Sequence, residues 1–558
     1  MNKNSQQETP IKLVIVGGVA GGASAAARAR RMSESSEIVL FERGGDPSFA
    51  NCGMPYYIGG EIVDRSKLLI TPPERLRRRF RLDLRLWTSV ESIDRARKVV
   101  VARELTTGRV YEESYDKLIL SPGAAPLRPP LAGGDLPEVF TLRELRDSDR
   151  IKAAIDSGAK RALVVGAGFI GLEMAENLVR RGVQTTVVEL ADQILPPWDK
   201  EMTSTVAAHL RERGVKLILA DAVAAFEKSD SPEQRLTAVL KSGQRLPADL
   251  VVLSVGVRPE NQLATAAGLE VGPRGGIRVN SQMQTSDPDI YAVGDAVETS
   301  DFVLGGPAQI PLAGPANRQG RIAADHALGR ENRFRGVQGT AILRVFDMTI
   351  AMTGAGEKSL RRAGRAYRKV YIHPASHAGY YPGAQGMTIK LLFDPTSGLV
   401  LGGQAFGRDG VDKRIDVLAV AIQGRMSVMD LEEMELAYSP QFGSAKDPIN
   451  MAGFVASGVV RGDHPQITVD QLSEAGPDAI VVDVRTPEEF AQGNLPSAVN
   501  IPVDDLRERL DELPASRPIV VYCQVGQRGY LATRILMQHG RNVVNLSGGY
   551  KAFTLWQS

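Results

Sequence analysis

The sequence predicts an α/β chain with two nucleotide-binding domains built on parallel sheets, then a mixed α+β block, then a small α/β domain. Three observations carry this. A strand, a glycine-rich turn and a helix occur in that order twice, at "IKLVIVGGVAGGASAAARARR" and "RALVVGAGFIGLEMAENLVRRG", each followed by a second apolar strand. Such βαβ units build parallel sheets. From about residue 339 to 455, strands and helices mix with no new nucleotide loop. The final stretch of about 95 residues alternates strands and helices again, enough for a domain of its own.

The totals bound what these domains do. A chain of 558 residues holds roughly three to five domains. Its balance of 43% hydrophobic and 24% charged residues is that of a soluble globular protein. A net charge of +2 supplies no basic field, so neither nucleic acid nor an acidic membrane is an expected partner. No window approaches the ~20 uninterrupted apolar residues of a membrane span. The opening "MNKNSQQETP" is polar and lacks the apolar core of a secretory signal. Two cysteines cannot staple a chain of this size and suit a reducing compartment. A cytoplasmic protein is therefore expected, with Cys52 and Cys523 as candidate chemistry.

Each element follows from its residues. "GGVAGG" offers Gly17, Val19, Ala20 and Gly22, and "GAGFIG" offers Gly166, Gly168 and Gly171. The second fits G-x-G-x-x-G fully; in the first, Val19 replaces the middle glycine. Glycines there permit a tight turn and bring a pyrophosphate against the backbone at a helix N-terminus. Glu42, followed by Arg43, and Glu189 end the next strands, where an acid holds ribose hydroxyls. Glu189 would repel the extra phosphate of NADP, and "ELADQ" has no adjacent arginine, so NADH is favoured over NADPH. "YDKLILSPGAAP" is a strand ending in a turn with Ser121 and Gly123, and "DPDIYAVGDAVE" is a strand ending at Gly294 and Asp295. The expected boundaries are 11–150 with 275–330 for the first dinucleotide domain and 151–274 for the second. The α+β domain takes 331–455, a Gly-rich linker "ASGVVRGDHPQ" takes 456–466, and the last domain takes 467–558. His373 and His377 in "HPASH" have i, i+4 spacing, but Pro374 opposes a helix and no third ligand is apparent, so no metal is expected.

Two dinucleotide sites imply a hydride passed from one dinucleotide to the other. This layout over residues 11 to about 455 resembles the two-dinucleotide-binding flavoprotein reductases. The resemblance implies FAD at the first loop, NAD(P)H at the second, and Asp295 of "YAVGDAVE" on the flavin ribityl chain. In that superfamily the redox centre falls where "SFANCGMPYY" stands here, with one cysteine instead of two. From the residues alone, Cys52 is either an inert core thiol or a nucleophile whose pKa a helix N-terminus or flavin lowers.

Among single-cysteine members, NADH oxidases and peroxidases carry a histidine in the first glycine loop; here that position is Ala20. "SFANCGMPYYIGG" instead resembles coenzyme A disulfide reductases, in which the thiol alternates with a mixed disulfide to coenzyme A. That resemblance implies coenzyme A contacts at Arg31, Ser48 and Asn51, and a homodimer. In "AYSPQFGSAKDPINMAG" it implies Tyr438 as a proton donor reaching the partner's site, with a second tyrosine at Tyr380 or Tyr381, spacing favouring Tyr380. The arginines Arg77 to Arg79 read as a solvated face or as partners for coenzyme A phosphates.

"VVYCQVGQRG" sets Cys523 and Arg528 around a four-residue turn, whose backbone N–H groups can stabilise an anionic sulfur. It resembles the persulfide-carrying loop of rhodanese sulfurtransferases. "VVDVRTPEEFAQGNLPSAVNIP" resembles their upstream signature at Asp483, Arg485 and Glu489, with Asn494 where histidine is usual. A phosphatase needs a loop one residue longer. The resemblances together imply an α/β protein with two Rossmann-like dinucleotide-binding domains, an α+β dimerisation domain and a C-terminal α/β rhodanese domain. They imply an NADH-dependent, FAD-containing reductase of coenzyme A persulfide, polysulfide or coenzyme A disulfide. The alternatives are thiol-pool maintenance, an NADH oxidase, or sulfur delivery by a protein whose flavin part is only a platform.

Overall fold

The computed structural model describes residues 10–229 and 234–557, so the opening Met1–Thr9, read above as no secretory signal, lies outside the described residues. The chain divides into two compact units. One comprises residues 1–190 and 218–337, the other 191–217 and 338–558.

In the first unit the strand Lys12–Val16 is buried on both faces, which the apolar run "KLVIV" permits. It pairs in parallel with Glu37–Phe41 on one side and Lys117–Leu120 on the other. Asp83–Arg85 and Ile290–Ala292 complete the sheet at its two edges. The segment after residue 275 thus returns to the first sheet. Its helix Ala313–Ala327 packs on Ala20–Met32 closely enough that a Cβ at Gly320 would stand 2.2 Å from the Gly21 carbonyl oxygen. The second βαβ unit builds a parallel array in the order Gln184–Val188, Arg161–Val165, Leu250–Leu253 and Val139–Thr141.

In the second unit five antiparallel strands run in the order Ala341–Val345, Met348–Gly354, Val400–Gly407, Met387–Phe393 and Arg368–Ile372, with the helix Val411–Gln423 on one face. A parallel sheet follows in the order Gln466–Ile467, Val543–Leu546, Ile519–Tyr522, Ile480–Asp483 and Val499–Asn500.

The expected linker at 456–466 is corrected: the helix Pro448–Arg461 runs through most of it and stops at Gly462, φ +79. Ala456, Ser457 and Gly458 are buried there, so small residues that read as loop composition serve close packing.

The strand Met387–Phe393 carries Lys390, whose ammonium is fully buried. It meets Asp199 at 2.7 Å, Glu201 at 2.5 Å, and Glu357. The three carboxylates would otherwise form an acidic cluster; the ammonium stands among them. Lys369 extends the network, bonding Glu357 at 2.9 Å and Asp470 at 2.9 Å, with the Trp556 ring 5.3 Å from its Nζ. Buried charges persist only when paired in this way.

Candidate active site

The first glycine loop is shaped by its neighbours. Gly17 holds φ +95, and a Cβ on it would stand 2.1 Å from the Ser121 carbonyl oxygen; one on Gly22 would stand 1.8 Å from the Gly17 carbonyl oxygen. No side chain caps the helix Ala20–Met32 and no acid lies in its first turn. Its leading N–H groups are thus left to an anion. Glu42 folds back, Oε2 accepting from Gly18 N at 2.8 Å and Oε1 from Gly44 N at 2.7 Å. Gly17, Glu42 and Gly44 border a cavity of about 450 Å³ that Val19, Ala20, Arg43, Asn51, Gly123, Gly294 and Asp295 also line. Arg143 donates to both oxygens of Glu260, at 3.0 and 2.9 Å, and Arg43 donates to Glu260 at 3.2 Å. Burial holds the Asp295 carboxyl above its ordinary value, with Arg143 opposing. A glycine cradle, an uncapped helix and a strand-end acid fit FAD.

The second loop repeats the design. Gly166 holds φ +102 with the Ser254 carbonyl oxygen 2.5 Å from where its Cβ would be, and a Cβ on Gly171 would stand 1.9 Å from the Gly166 carbonyl oxygen. Gly168 has open space instead. Glu189 accepts from Ala167 N at 2.7 Å, as Glu42 does from Gly18. The helix Phe169–Arg180 also begins without a side-chain cap or a first-turn acid. This donor set fits a second dinucleotide.

Cys52 is exposed, in a single turn at Asn51–Gly53 that leads into the short helix Met54–Gly59. Its N–H donates to Asn51 Oδ1 at 3.1 Å, and its Sγ lies 3.7 Å from the same oxygen. Ser48, at φ +52, donates its N–H to the Gly18 carbonyl at 2.8 Å, tying this segment to the glycine loop. The protein groups around Cys52 shift its pKa opposite to the nucleophile reading, in which a helix N-terminus or flavin lowers it. Desolvation pushes it up, and Glu173 and Asp295 push it further. Glu173, which the sequence analysis passed over, is itself raised to about 7 by burial, with the Tyr56 hydroxyl 3.3 Å away. Arg31 is exposed in the last turn of Ala20–Met32, at the end away from the glycine loop.

In the second unit the Tyr380 and Tyr438 hydroxyls lie 2.9 Å apart and both rings are exposed. The bond to Tyr438 raises the Tyr380 pKa. Tyr381 instead packs edge-on against His377, ring centroids 5.7 Å apart. His373 hydrogen-bonds Thr388.

Cys523 is buried where the strand Ile519–Tyr522 ends, and Gly526 donates its N–H to Sγ at 3.2 Å. Arg528 binds Glu489 through two bonds of 2.7 Å, which hold the Glu489 pKa down at about 2. Arg485, paired with buried Asp483, donates to Gln524 Oε1 at 3.1 Å and stacks on Tyr550 at 4.3 Å. Tyr550 N and Lys551 N donate to the Cys523 and Gln524 carbonyls. Asn494 donates to the Phe490 carbonyl at 3.2 Å.

The model of the pyridine nucleotide-disulphide oxidoreductase family matches residues 11–320, that of its dimerisation domain 340–447, and that of the rhodanese-like domain 467–555. Coenzyme A disulfide reductase of Staphylococcus haemolyticus is 35% identical over 447 residues, 80% of this chain and 99% of the relative. The reduced Bacillus anthracis CoADR-RHD crystal structure is 47% identical, with TM-score 0.95 over 98% of each chain. A NAD-dependent persulfide reductase from A. fulgidus is 37% identical, with TM-score 0.89 over 97% of this chain and 100% of that one. A water-forming NADH oxidase from Lactobacillus brevis is 27% identical, with TM-score 0.77 over 81% of this chain and 99% of that one. No helix among the described residues is long and apolar enough to cross a membrane. The chain belongs to the pyridine nucleotide-disulphide oxidoreductase family and carries a rhodanese-like domain after the dimerisation domain.

Proposed function

We propose that the protein is an NADH-dependent, FAD-containing reductase of coenzyme A persulfide, with coenzyme A disulfide and polysulfide as further substrates, acting as a homodimer. One observation carries the reading. An exposed lone thiol, Cys52, adjoins Asn51 at the edge of the dinucleotide cavity, and the chain's other cysteine belongs to the rhodanese-like domain. The second sulfur of the redox pair therefore comes from the substrate.

FAD, when bound, supplies a two-electron relay from NADH to sulfur. Gly17, Gly22, Glu42 and Asp295 would hold it, and Gly166, Gly168, Gly171 and Glu189 would hold the nicotinamide dinucleotide. Cys52 thiolate attacks the carbon-bound sulfur of coenzyme A persulfide, CoA–S–SH; that S–S bond breaks, hydrosulfide leaves, and a mixed disulfide with coenzyme A forms. Two electrons then cleave the mixed disulfide and return the Cys52 thiolate and coenzyme A thiol. Tyr438 from a second copy, its hydroxyl paired with Tyr380, supplies a proton to the departing sulfur. The net change is NADH, a proton and coenzyme A persulfide giving NAD⁺, coenzyme A thiol and hydrogen sulfide. Cys523 takes sulfane sulfur from donors and passes it to coenzyme A or towards Cys52.

The rhodanese-like domain favours this over thiol-pool maintenance, since coenzyme A disulfide reduction has no use for a sulfur carrier. The test compares turnover with coenzyme A persulfide and coenzyme A disulfide, with mass spectrometry for coenzyme A on Cys52. Faster persulfide turnover, lost in Cys52→Ser, is expected. Faster disulfide turnover, or full activity without Cys52, overturns the reading.

A further inference from the structure

The turn that carries Cys523 is tied to a histidine outside the rhodanese-like match, which begins at residue 467. Gly526, whose N–H reaches Cys523 Sγ at 3.2 Å, holds φ +101, a conformation that L side chains rarely adopt. Its carbonyl accepts from Asn545 Nδ2 at 3.0 Å, and the same nitrogen lies 2.8 Å from His464 Nε2. Both amide hydrogens are thus committed, and turning the amide over would set an oxygen against the Gly526 carbonyl. Nε2 must then accept, which leaves the ring proton on Nδ1. The Gln466 Nε2 lies 3.1 Å from both ring nitrogens, over the ring, and its Oε1 is buried with no partner among the described residues.

His464 itself is held from several sides. It is buried, its N–H donates to the Gly458 carbonyl at 3.0 Å, and its ring centroid lies 4.4 Å from that of Tyr530. A Cβ on Gly458 would stand 3.1 Å from the His464 Cβ, so the helix Pro448–Arg461 has a glycine where the histidine approaches. Burial, with Arg534 adding, lowers the imidazole pKa to about 4, so near neutral pH the ring is the acceptor that Asn545 requires.

We propose that His464 is a positioning residue for sulfur transfer at Cys523: it fixes Asn545, which holds the Gly526 carbonyl so that the Gly526 N–H stays aimed at the sulfur. The inference rests on the reading that Cys523 carries sulfane sulfur. In that step the Cys523 thiolate takes the terminal sulfur of a persulfide R–S–SH. The donor's S–S bond breaks, a new S–S bond forms on Cys523, R–SH leaves with the proton, and the terminal sulfur of Cys523 carries the negative charge. A fixed N–H donor stabilises the thiolate that starts this transfer.

The full-length protein is incubated with cysteine persulfide, and Cys523 is examined by mass spectrometry for added sulfur. No added sulfur in the wild type overturns both the reading of Cys523 and this inference. His464→Phe keeps a ring and removes the acceptor. In a Cys52→Ser background, where Cys523 is the remaining thiol, His464→Phe is expected to slow iodoacetamide alkylation near neutral pH by about tenfold. Sulfur transfer to cyanide should fall by a similar factor with KM for the donor unchanged, while NADH-dependent reduction of coenzyme A disulfide in the native background is retained. Asn545→Asp, of the same shape but without the two donors, should give the same loss, and His464→Gln, which restores an acceptor, should recover most of the rate. A wild type that takes up sulfur alongside unchanged rates in His464→Phe or Asn545→Asp overturns the inference alone. So does His464→Gln as slow as His464→Phe.

Discussion

Gly168→Ala separates a glycine needed by the nucleotide from one needed by the fold. Gly168 has φ −79 and ψ −168, extended backbone that alanine adopts freely, and its added methyl meets no protein atom within 4 Å. Stability should therefore hold or rise slightly, since Gly→Ala at a compatible site stabilises by about 0.4–1 kcal/mol. The methyl would instead occupy the space in which a pyrophosphate approaches the backbone. Loss of a charge-assisted hydrogen bond there costs roughly 1.5–3 kcal/mol, about a ten- to hundredfold rise in the NADH concentration for half-maximal flavin reduction. Gly171→Ala is the contrast: its Cβ would stand 1.9 Å from the Gly166 carbonyl oxygen, so the helix must shift. Overpacking of that kind costs typically about 1–3 kcal/mol. Stopped-flow flavin reduction, flavin content and calorimetry on both variants make the comparison. An unchanged NADH dependence in Gly168→Ala, or a melting temperature lowered as far as in Gly171→Ala, refutes the reasoning.

Two further predictions concern the buried charges of the second unit. Lys390→Met leaves Asp199, Glu201 and Glu357 facing one another without their ammonium; breaking such a pairing costs roughly 3–5 kcal/mol, a fall in melting temperature of about 10 °C by calorimetry, and a fall under about 3 °C contradicts the assignment. Burial draws the Glu357 carboxyl up, but Lys390 and Lys369 overcome it and set the pKa at about 2 against an ordinary 4.5. The unfolded chain therefore binds this proton more tightly. The contribution, roughly 3 kcal/mol, is complete above the ordinary value and is lost as pH falls towards the folded one. Asp199, held above its ordinary value by burial, opposes it in part. Urea unfolding on either side of that window should show the loss, and Glu357→Gln should flatten it.

Much of the fold was legible because its signals are local. A strand, a glycine turn and a helix lie within about thirty residues of one another, and both thiols sit in short motifs. What stayed hidden depends on distant segments. Glu173 reads as one more acid on a helix until the fold brings it near Cys52. Lys390 interrupts the apolar run "MTIKLLF", which shows that a partner is needed, but the partners come from residues 199, 201 and 357. The last turns of Pro448–Arg461 read as a connector in the sequence because glycine marks loops more often than close helix contacts. Cys52 is a similar case: the desolvation that raises its pKa, and the Glu173 and Asp295 carboxylates that add to it, come from segments distant in sequence.

The Lys369 network has an architectural consequence. Its ammonium shares Glu357 with Lys390 on one side and reaches Asp470 and the Trp556 ring on the other. A version shortened before residue 466 would strip that lysine of Asp470 and of the Trp556 ring. Trading the terminal domain for a foreign one would demand a graft carrying an acid and an aromatic in matching places.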